Sequence, residues 1–351
     1  MSGFDRWDEV ADESAVDPDA AVRSSTAFAR DALERDGVTE VCVNRPGEMW
    51  VECGGSWTCE PGPDIDTLDR AAVAIARRSH RDEQFGDGLS PLLGGTLDGG
   101  ERVQIVMPPA CERGTIAMSI RRPSRRHIAW SEYAERIDEV FGLSPDGGAD
   151  PVAARIDAGD VIGAIEEAMR RRKSILVAGS TNAGKTTFLA ALAAEAPGDE
   201  RMLTIEDDRE VRLPSHPNRV HLLHSGVDGR HTAAEMVRVS LRLRPSRIML
   251  AEVRGPEAFD LLDVAAAGHG GTLTTCHAGS ATLALDRIAT MAMQDARGRA
   301  MGVDAVRQLV TDAIDMVIHI ERRGVWPRVT GLLYRRSDRA GEAATMHYPP
   351  R

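Results

Sequence analysis

The eight residues 179–186, GSTNAGKT, fit the pattern G-x-x-x-x-G-K-[ST] and constrain the fold more than any other stretch of the chain. That spacing works only where a strand feeds a tight loop and the loop opens a helix. Residues 175–178, ILVA, form a short apolar run, as expected of a strand buried on both faces. Residues 186–196 read as a helix with Leu189 and Leu192 inward, and Pro197-Gly198 stop it. Glycines let the backbone curl so that N–H groups point at a β-phosphate, and the helix N-terminus adds partial positive charge. Gly179, Ser180, Thr181, Asn182, Ala183, Gly184, Lys185, Thr186 and Thr187 are therefore the expected nucleotide cradle. Lys185 would reach the β- and γ-phosphates, and the Thr186 hydroxyl would take a Mg²⁺ position. A chance Gly-rich turn would not need the strand before it or the helix after it.

With 351 residues, the length prior is about two domains. No apolar run approaches the ~18 residues of a membrane span. The first twenty residues, MSGFDRWDEVADESAVDPDA, hold seven acidic side chains and no apolar core of a secretory leader. Residues 1–22 are thus expected to be a solvated, disordered acidic tail, and the chain is expected in the cytoplasm. A net charge of −11 argues against bulk electrostatic attraction to nucleic acid, leaving room only for a local basic patch. Five cysteines with no C-x-x-C pair read as reduced thiols rather than a zinc site or a disulfide framework.

The first half reads as a small α+β domain over 23–130. VTEVCV (38–43) and EMWVEC (48–53) are strand-like and joined by the turn Asn44-Arg45-Pro46-Gly47. Residues 66–78 place Leu68, Ala71, Ala72, Ile75 and Ala76 on one helical face. Two more strands are expected at 102–107 and 115–121, the second alternating Ile116, Met118 and Ile120 against Ala117, Ser119 and Arg121. SPDGGADP (144–151) marks a linker, placed over 131–155, and 156–351 reads as an α/β motor domain with a mostly parallel sheet.

In such a sheet, ligands bind beyond the carboxyl ends of the strands. Three strands after the phosphate loop end in chemistry: RMLTIEDD offers Glu206, Asp207 and Asp208; SRIMLAEVRG offers Glu252 and Arg254; GGTLTTCHAGS offers His277. Glu252 is the candidate to polarise a water attacking the γ-phosphate. Glu206 and Asp207 would sit near Mg²⁺ or orient that water, and His277 would donate to the γ-phosphate. Each of these residues alone also fits a solvated turn cap. Cys276, His277 and His269 lack the spacing of zinc ligands, and GHGG is equally well read as a turn that needs its glycines.

These stretches carry a resemblance. GSTNAGKTT, TIEDDREVRL, LRLRPSRIMLAEVRGPEAFDLL and GHGGTLTTCHAGS resemble, in order, the Walker A, Asp box, Walker B and His box of secretion ATPases. Within that superfamily the chain most resembles the traffic ATPases of type IV secretion systems, the family of P-type DNA transfer ATPases. VTEVCVNRPGEMWVE, GERVQIVMPPA and GTIAMSIRRPS resemble its N-terminal domain, and DAIDMVIHIERR its closing strand. The resemblance implies a RecA-like motor domain and a homohexameric ring at the cytoplasmic face of the inner membrane. ATP and Mg²⁺ would be bound and hydrolysed there. Inner-membrane channel proteins and a coupling ATPase would be partners, with DNA or protein as indirect cargo. It reads Glu252 as the hydrolytic carboxylate, Glu206 as its Asp-box partner, and Arg102 and Arg121 as residues reaching the γ-phosphate. Asn182-Ala183 depart from the usual loop, Ala251 stands where many phosphate-loop enzymes hold a Mg²⁺-binding Asp, and Cys276 replaces an aliphatic residue. Arg242, Arg244 and Arg247 would lie near the nucleotide end of the sheet or at a subunit boundary. Other functions compete: a pilus or type II secretion ATPase, a nucleotide-gated scaffold without turnover, and a helicase-like motor. A lone Cys276 in the later half, without a four-cysteine zinc module, counts against the assembly members of the second group.

Overall fold

The computed structural model describes residues 17–81, 85–86, 90–122, 150–225, 231–323, 326–336 and 346–347. Most of the expected acidic tail and most of the 131–155 linker lie outside the described residues. The described chain gathers into two compact units. One holds the residues before 123 with 201–209 and 217–245; the other holds the rest.

The first unit is built on a six-stranded antiparallel sheet in the order β3-β2-β1-β6-β5-β4. Its strands are β1 (Val38–Val43), β2 (Glu48–Cys53), β3 (Ser56–Pro61), β4 (Leu92–Thr96), β5 (Arg102–Val106) and β6 (Ala117–Arg121). Helix α1 (Pro18–Ser25) opens inside the acidic stretch, with Asp17 as its cap and proline at its first position. It is followed by α2 (Ala27–Glu34) and, after β3, by α3 (Ile65–Arg78). Asp64 caps α3 by accepting from Thr67 N–H at 2.8 Å, and Arg77 and Arg78 complement its C-terminal dipole. Its predicted apolar face is buried in one cluster with Val41, Val43, Met118 and Ile120. Burying Leu68 or Ile75 there contributes about 1.5–3 kcal/mol each.

The alternation expected along β6 does not separate a wet face from a dry one. Ala117 and Ser119 are as buried as Ile116 and Met118, and only Arg121 is exposed. The strand is central, and its second face, with Glu40, Cys42, Gln104 and Ser119, is covered by the turn Leu241–Leu243 of the same unit. Strands β8 (Met202–Glu206) and β9 (Arg219–Leu223) pair in parallel, and helix α7 (Ala233–Ser240) follows, opened by a Thr232/Glu235 capping box. Polar contacts tie these segments to the first sheet's loops. Arg201 donates to Asn44 Oδ1 at 2.7 Å and to the Leu243 carbonyl at 2.9 Å, and Leu223 N–H donates to the Ala110 carbonyl at 2.9 Å.

The second unit is layered α/β. Parallel strands run in the order β12-β7-β11-β10, from Met316–Arg323, Ile175–Gly179, Leu273–His277 and Arg247–Leu250, and β13 (Trp326–Arg335) pairs antiparallel with β12. Every residue of β7 and β10 is buried, as strands covered on both faces must be. The helices are α4 (Pro151–Asp157), α5 (Val161–Arg170), α6 (Lys185–Ala194), α8 (Glu257–Ala266), α9 (Ala281–Ala292), α10 (Ala296–Met301) and α11 (Val303–Ala313). Asp150 caps α4 and also accepts from the Tyr334 hydroxyl at 2.9 Å, which fixes the start of the unit to β13.

Candidate nucleotide site

Strand β7 delivers the chain into the phosphate loop at Gly179, where a Cβ would meet the Ile320 carbonyl oxygen at 2.5 Å, so only glycine fits. The loop then turns through two left-handed residues, Asn182 at φ 61° and Gly184 at φ 89°. Asn tolerates that region better than most side chains, which gives the Asn182 departure a backbone role. Gly184 caps α6 with no side chain folded over the helix start and no acid in the first turn. The first N–H groups of α6 are thus left to an anion. Ser180, Thr181, Asn182 and Thr187 are exposed, Thr186 and Gly184 half-buried, and Ala183 buried beneath the loop.

Lys185 is 7% exposed. Its ammonium donates to the Ser180 carbonyl at 3.1 Å and to His277 Nδ1 at 3.0 Å. An ammonium can only donate, so Nδ1 carries the lone pair and Nε2 the proton. Nε2 stands 2.6 Å from Glu252 Oε1, close though without hydrogen-bond direction, and Arg254 grips the other oxygen, Oε2, through Nε at 2.9 Å and Nη2 at 2.8 Å. Three side chains from three sequence boxes therefore form one line: Lys185, His277, Glu252. Burial lowers the Lys185 pKa, and the Glu252 charge opposes that shift. Among the described residues Lys185 forms no ion pair with a carboxylate, and its ammonium is held by the Ser180 carbonyl and His277.

Beneath the site, Cys276 is buried and its thiol is pushed up to about 12 by desolvation, which makes it an inert apolar filler. No group of three or more His, Cys, Asp or Glu among the described residues forms a metal cage. A Mg²⁺ held by the Thr186 hydroxyl and by nucleotide phosphates fits that donor set, because this ion keeps waters and phosphate oxygens rather than an all-protein shell.

The first unit holds the remaining candidates. Arg102 and Arg121 are opposite one another in the β5–β6 register, both exposed. With Arg242, Arg244, Gln104 and Glu40 they line a cavity of about 430 Å³ in that unit. Glu40 is 1% exposed, and burial raises its pKa against the lowering effect of Ser119 and Arg244. Glu206 is buried at the end of β8, while Asp207 is exposed and caps the Asp208 N–H at 3.1 Å. Arg247, read with Arg242 and Arg244 on sequence, belongs elsewhere: it is fully buried in the second unit against Glu200 and the Met169 carbonyl. Arg254 beside Glu252, and Arg242 and Arg244 at the first unit's own cavity, are residues to which sequence reading gave no definite role.

Fold and loop together define the phosphate-loop class of nucleotide-binding proteins. Residues 162–324 match the family model described as Type II/IV secretion system protein. The chain is 39% identical over 320 residues to the type IV secretion system protein VirB11 of Brucella suis, covering 89% of this chain and 88% of that one. It is 41% identical over 337 residues to PtlH of Bordetella pertussis, a type IV secretion system protein, covering 92% and 98%. The crystal structure of the Brucella suis VirB11 ATPase in complex with sulphate superposes with a TM-score of 0.83 at 39% identity, over 92% of this chain and 97% of that one. The chain belongs to the VirB11 family of type IV secretion ATPases, and its role is that of a secretion motor component; the pilus and type II alternative is not favoured.

Proposed function

We propose that the chain hydrolyses ATP at the Lys185 loop and works as a homohexameric ring at the cytoplasmic face of the inner membrane. The observation that carries the reading is the line Lys185–His277–Glu252 at the mouth of an uncapped helix start. Lys185 and the loop N–H groups would bind the β- and γ-phosphates. Glu252, held by Arg254 on one oxygen, would take the proton of the attacking water with the other. His277 would donate its Nε2 proton to the γ-phosphate, turning it away from Glu252 Oε1 and leaving that oxygen to the water. Glu206 would orient the water. Mg²⁺, on Thr186 and near Asp207, would supply charge neutralisation of the phosphates.

Arg102 and Arg121 would add charge to the γ-phosphate from the N-terminal domain (23–130), coupling phosphate release to motion of that domain against the motor domain (156–351). The likeness to VirB11 and PtlH supports a place beside inner-membrane channel proteins and a coupling ATPase, with DNA or protein as cargo. Among the described residues no helix is long and apolar enough to cross a membrane, which suits a peripheral attachment. Capture with a tagged chain from native membranes tests the pathway. Recovery of secretion-channel proteins and a coupling ATPase is expected; recovery of pilin-assembly factors instead would overturn it.

A further inference from the structure

Glu206 sits at the end of a directed chain of hydrogen bonds that no sequence motif announces. Thr204 and Glu206 are two apart on β8, so they share one face, and the parallel register sets Thr204 against His221 on β9. The Thr204 hydroxyl donates to Glu206 Oε1 at 2.7 Å. Having given its proton there, it can only accept from His221 Nδ1, also 2.7 Å away. His221 Nε2 must then carry the lone pair, and it faces Arg209 Nη2 at 2.7 Å, a group that can only donate. Arg209 is anchored in turn by its Nε on Glu112 Oε1 at 2.9 Å. Each link fixes the direction of the next, from the half-exposed Glu112–Arg209 pair inward to the carboxylate.

Thr204, Glu206 and His221 are 0%, 1% and 4% exposed, so the chain runs through a site where every unmade hydrogen bond is costly. His221 lies 3.6 Å from Glu206 Oε1, a distance that would make an ion pair if the ring were charged. Burial and Arg209 instead push its pKa down and keep it neutral. The Glu206 backbone is fixed as well, since its carbonyl accepts from His224 N–H at 2.9 Å.

We propose that Thr204 and His221, the histidine's tautomer being set by Arg209, are positioning residues that hold the Glu206 carboxylate in one rotamer for the hydrolytic step. The inference rests on the reading that Glu206 orients the attacking water. Removing Arg209 would free His221 to take the other tautomer and accept from Thr204, turning the hydroxyl away from Glu206.

Four variants of the full chain test this in steady-state phosphate release over an ATP titration, each checked by its melting temperature. Thr204→Val keeps the shape and loses the hydroxyl. Loss of an outer-shell partner typically costs about 10–100-fold in activity elsewhere, and a drop of that order in kcat at unchanged KM for ATP is expected here. Thr204→Ser, which keeps the hydroxyl, should restore most of kcat. Arg209→Leu changes a half-exposed residue away from the core and should also lower kcat without moving KM. Glu206→Gln should lose turnover. Wild-type kcat in both Thr204→Val and Arg209→Leu, with Glu206→Gln impaired, overturns the positioning role alone. Wild-type kcat in Glu206→Gln overturns the reading of Glu206 and this inference with it.

Discussion

Replacing Glu252 by Gln should separate ATP binding from hydrolysis. The amide keeps the shape of the side chain and cannot take a proton from water. A positioned general base contributes about 10²–10⁴-fold, or roughly 3–5 kcal/mol at 1.36 kcal/mol per tenfold. The fold should scarcely notice. The Arg254 side chain that pairs with Glu252 is 61% exposed, and a pair of that kind is worth about 0–1 kcal/mol. Binding should also persist, because Lys185 is seated by the Ser180 carbonyl and His277 rather than by Glu252. The assay is single-turnover hydrolysis beside equilibrium binding of a fluorescent ATP analogue. A melting temperature within a few degrees of wild type, near-native affinity and a collapse of turnover are expected. Unchanged turnover would refute the role of Glu252, and parallel loss of affinity would refute its separation from the binding machinery.

Arg102→Ala and Arg121→Ala should each keep the fold, since both are exposed, and lose about 10³–10⁵ in hydrolysis rate, with ADP binding near normal; wild-type turnover in both would remove them from the site. Mixing Arg121→Ala with Lys185→Ala subunits should recover activity only if the arginine acts on a neighbour's ATP. Glu200→Ala strips the fully buried Arg247 of its carboxylate and should cost about 3–5 kcal/mol, read in urea denaturation, whereas a loss under 1 kcal/mol would contradict a buried pair. His216 and His221 both have pKa values below the ordinary histidine value of 6.5 because burial disfavours their charged forms. The unfolded chain therefore binds more protons below about pH 6.5, and stability present above that pH should fall as the pH drops toward their lowered values. Melting temperatures flat between pH 7 and 5 would contradict that burial.

The phosphate loop was legible because its chemistry lies within eight consecutive residues. The three carboxyl-terminal strand ends were legible because apolar runs stop abruptly at Glu206, Glu252 and His277. What sequence could not supply was pairing across distance. Nothing in RVHLL marks His221 as a partner of Thr204, since the register of β9 on β8 is set by the whole fold. Likewise, Arg201 and Asn218 read as ordinary polar residues until Asn44, far away in the chain, joins them at a buried contact. The edge strand β3 escaped because all six of its residues are exposed or half-exposed, leaving no apolar alternation to read. Strand β4 escaped because Gly94 and Gly95 imitate a turn; a Cβ at Gly94 would meet the Arg242 guanidinium at 3.1 Å, so there the glycine makes room at the arginine cavity.

Phosphate release by the purified chain with saturating ATP and Mg²⁺, run beside Lys185→Ala, probes the proposed ATP-fuelled motor most directly. Lys185 is the one cation seated inside the phosphate loop, 7% exposed and without a carboxylate partner among the described residues. Its removal takes away the charge facing the β- and γ-phosphates. Steady turnover by the wild-type chain, abolished in Lys185→Ala together with most of the nucleotide affinity, is the expected result. ATP binding without turnover in the wild type would make the chain a nucleotide-gated scaffold, and turnover undiminished in Lys185→Ala would place hydrolysis outside this loop.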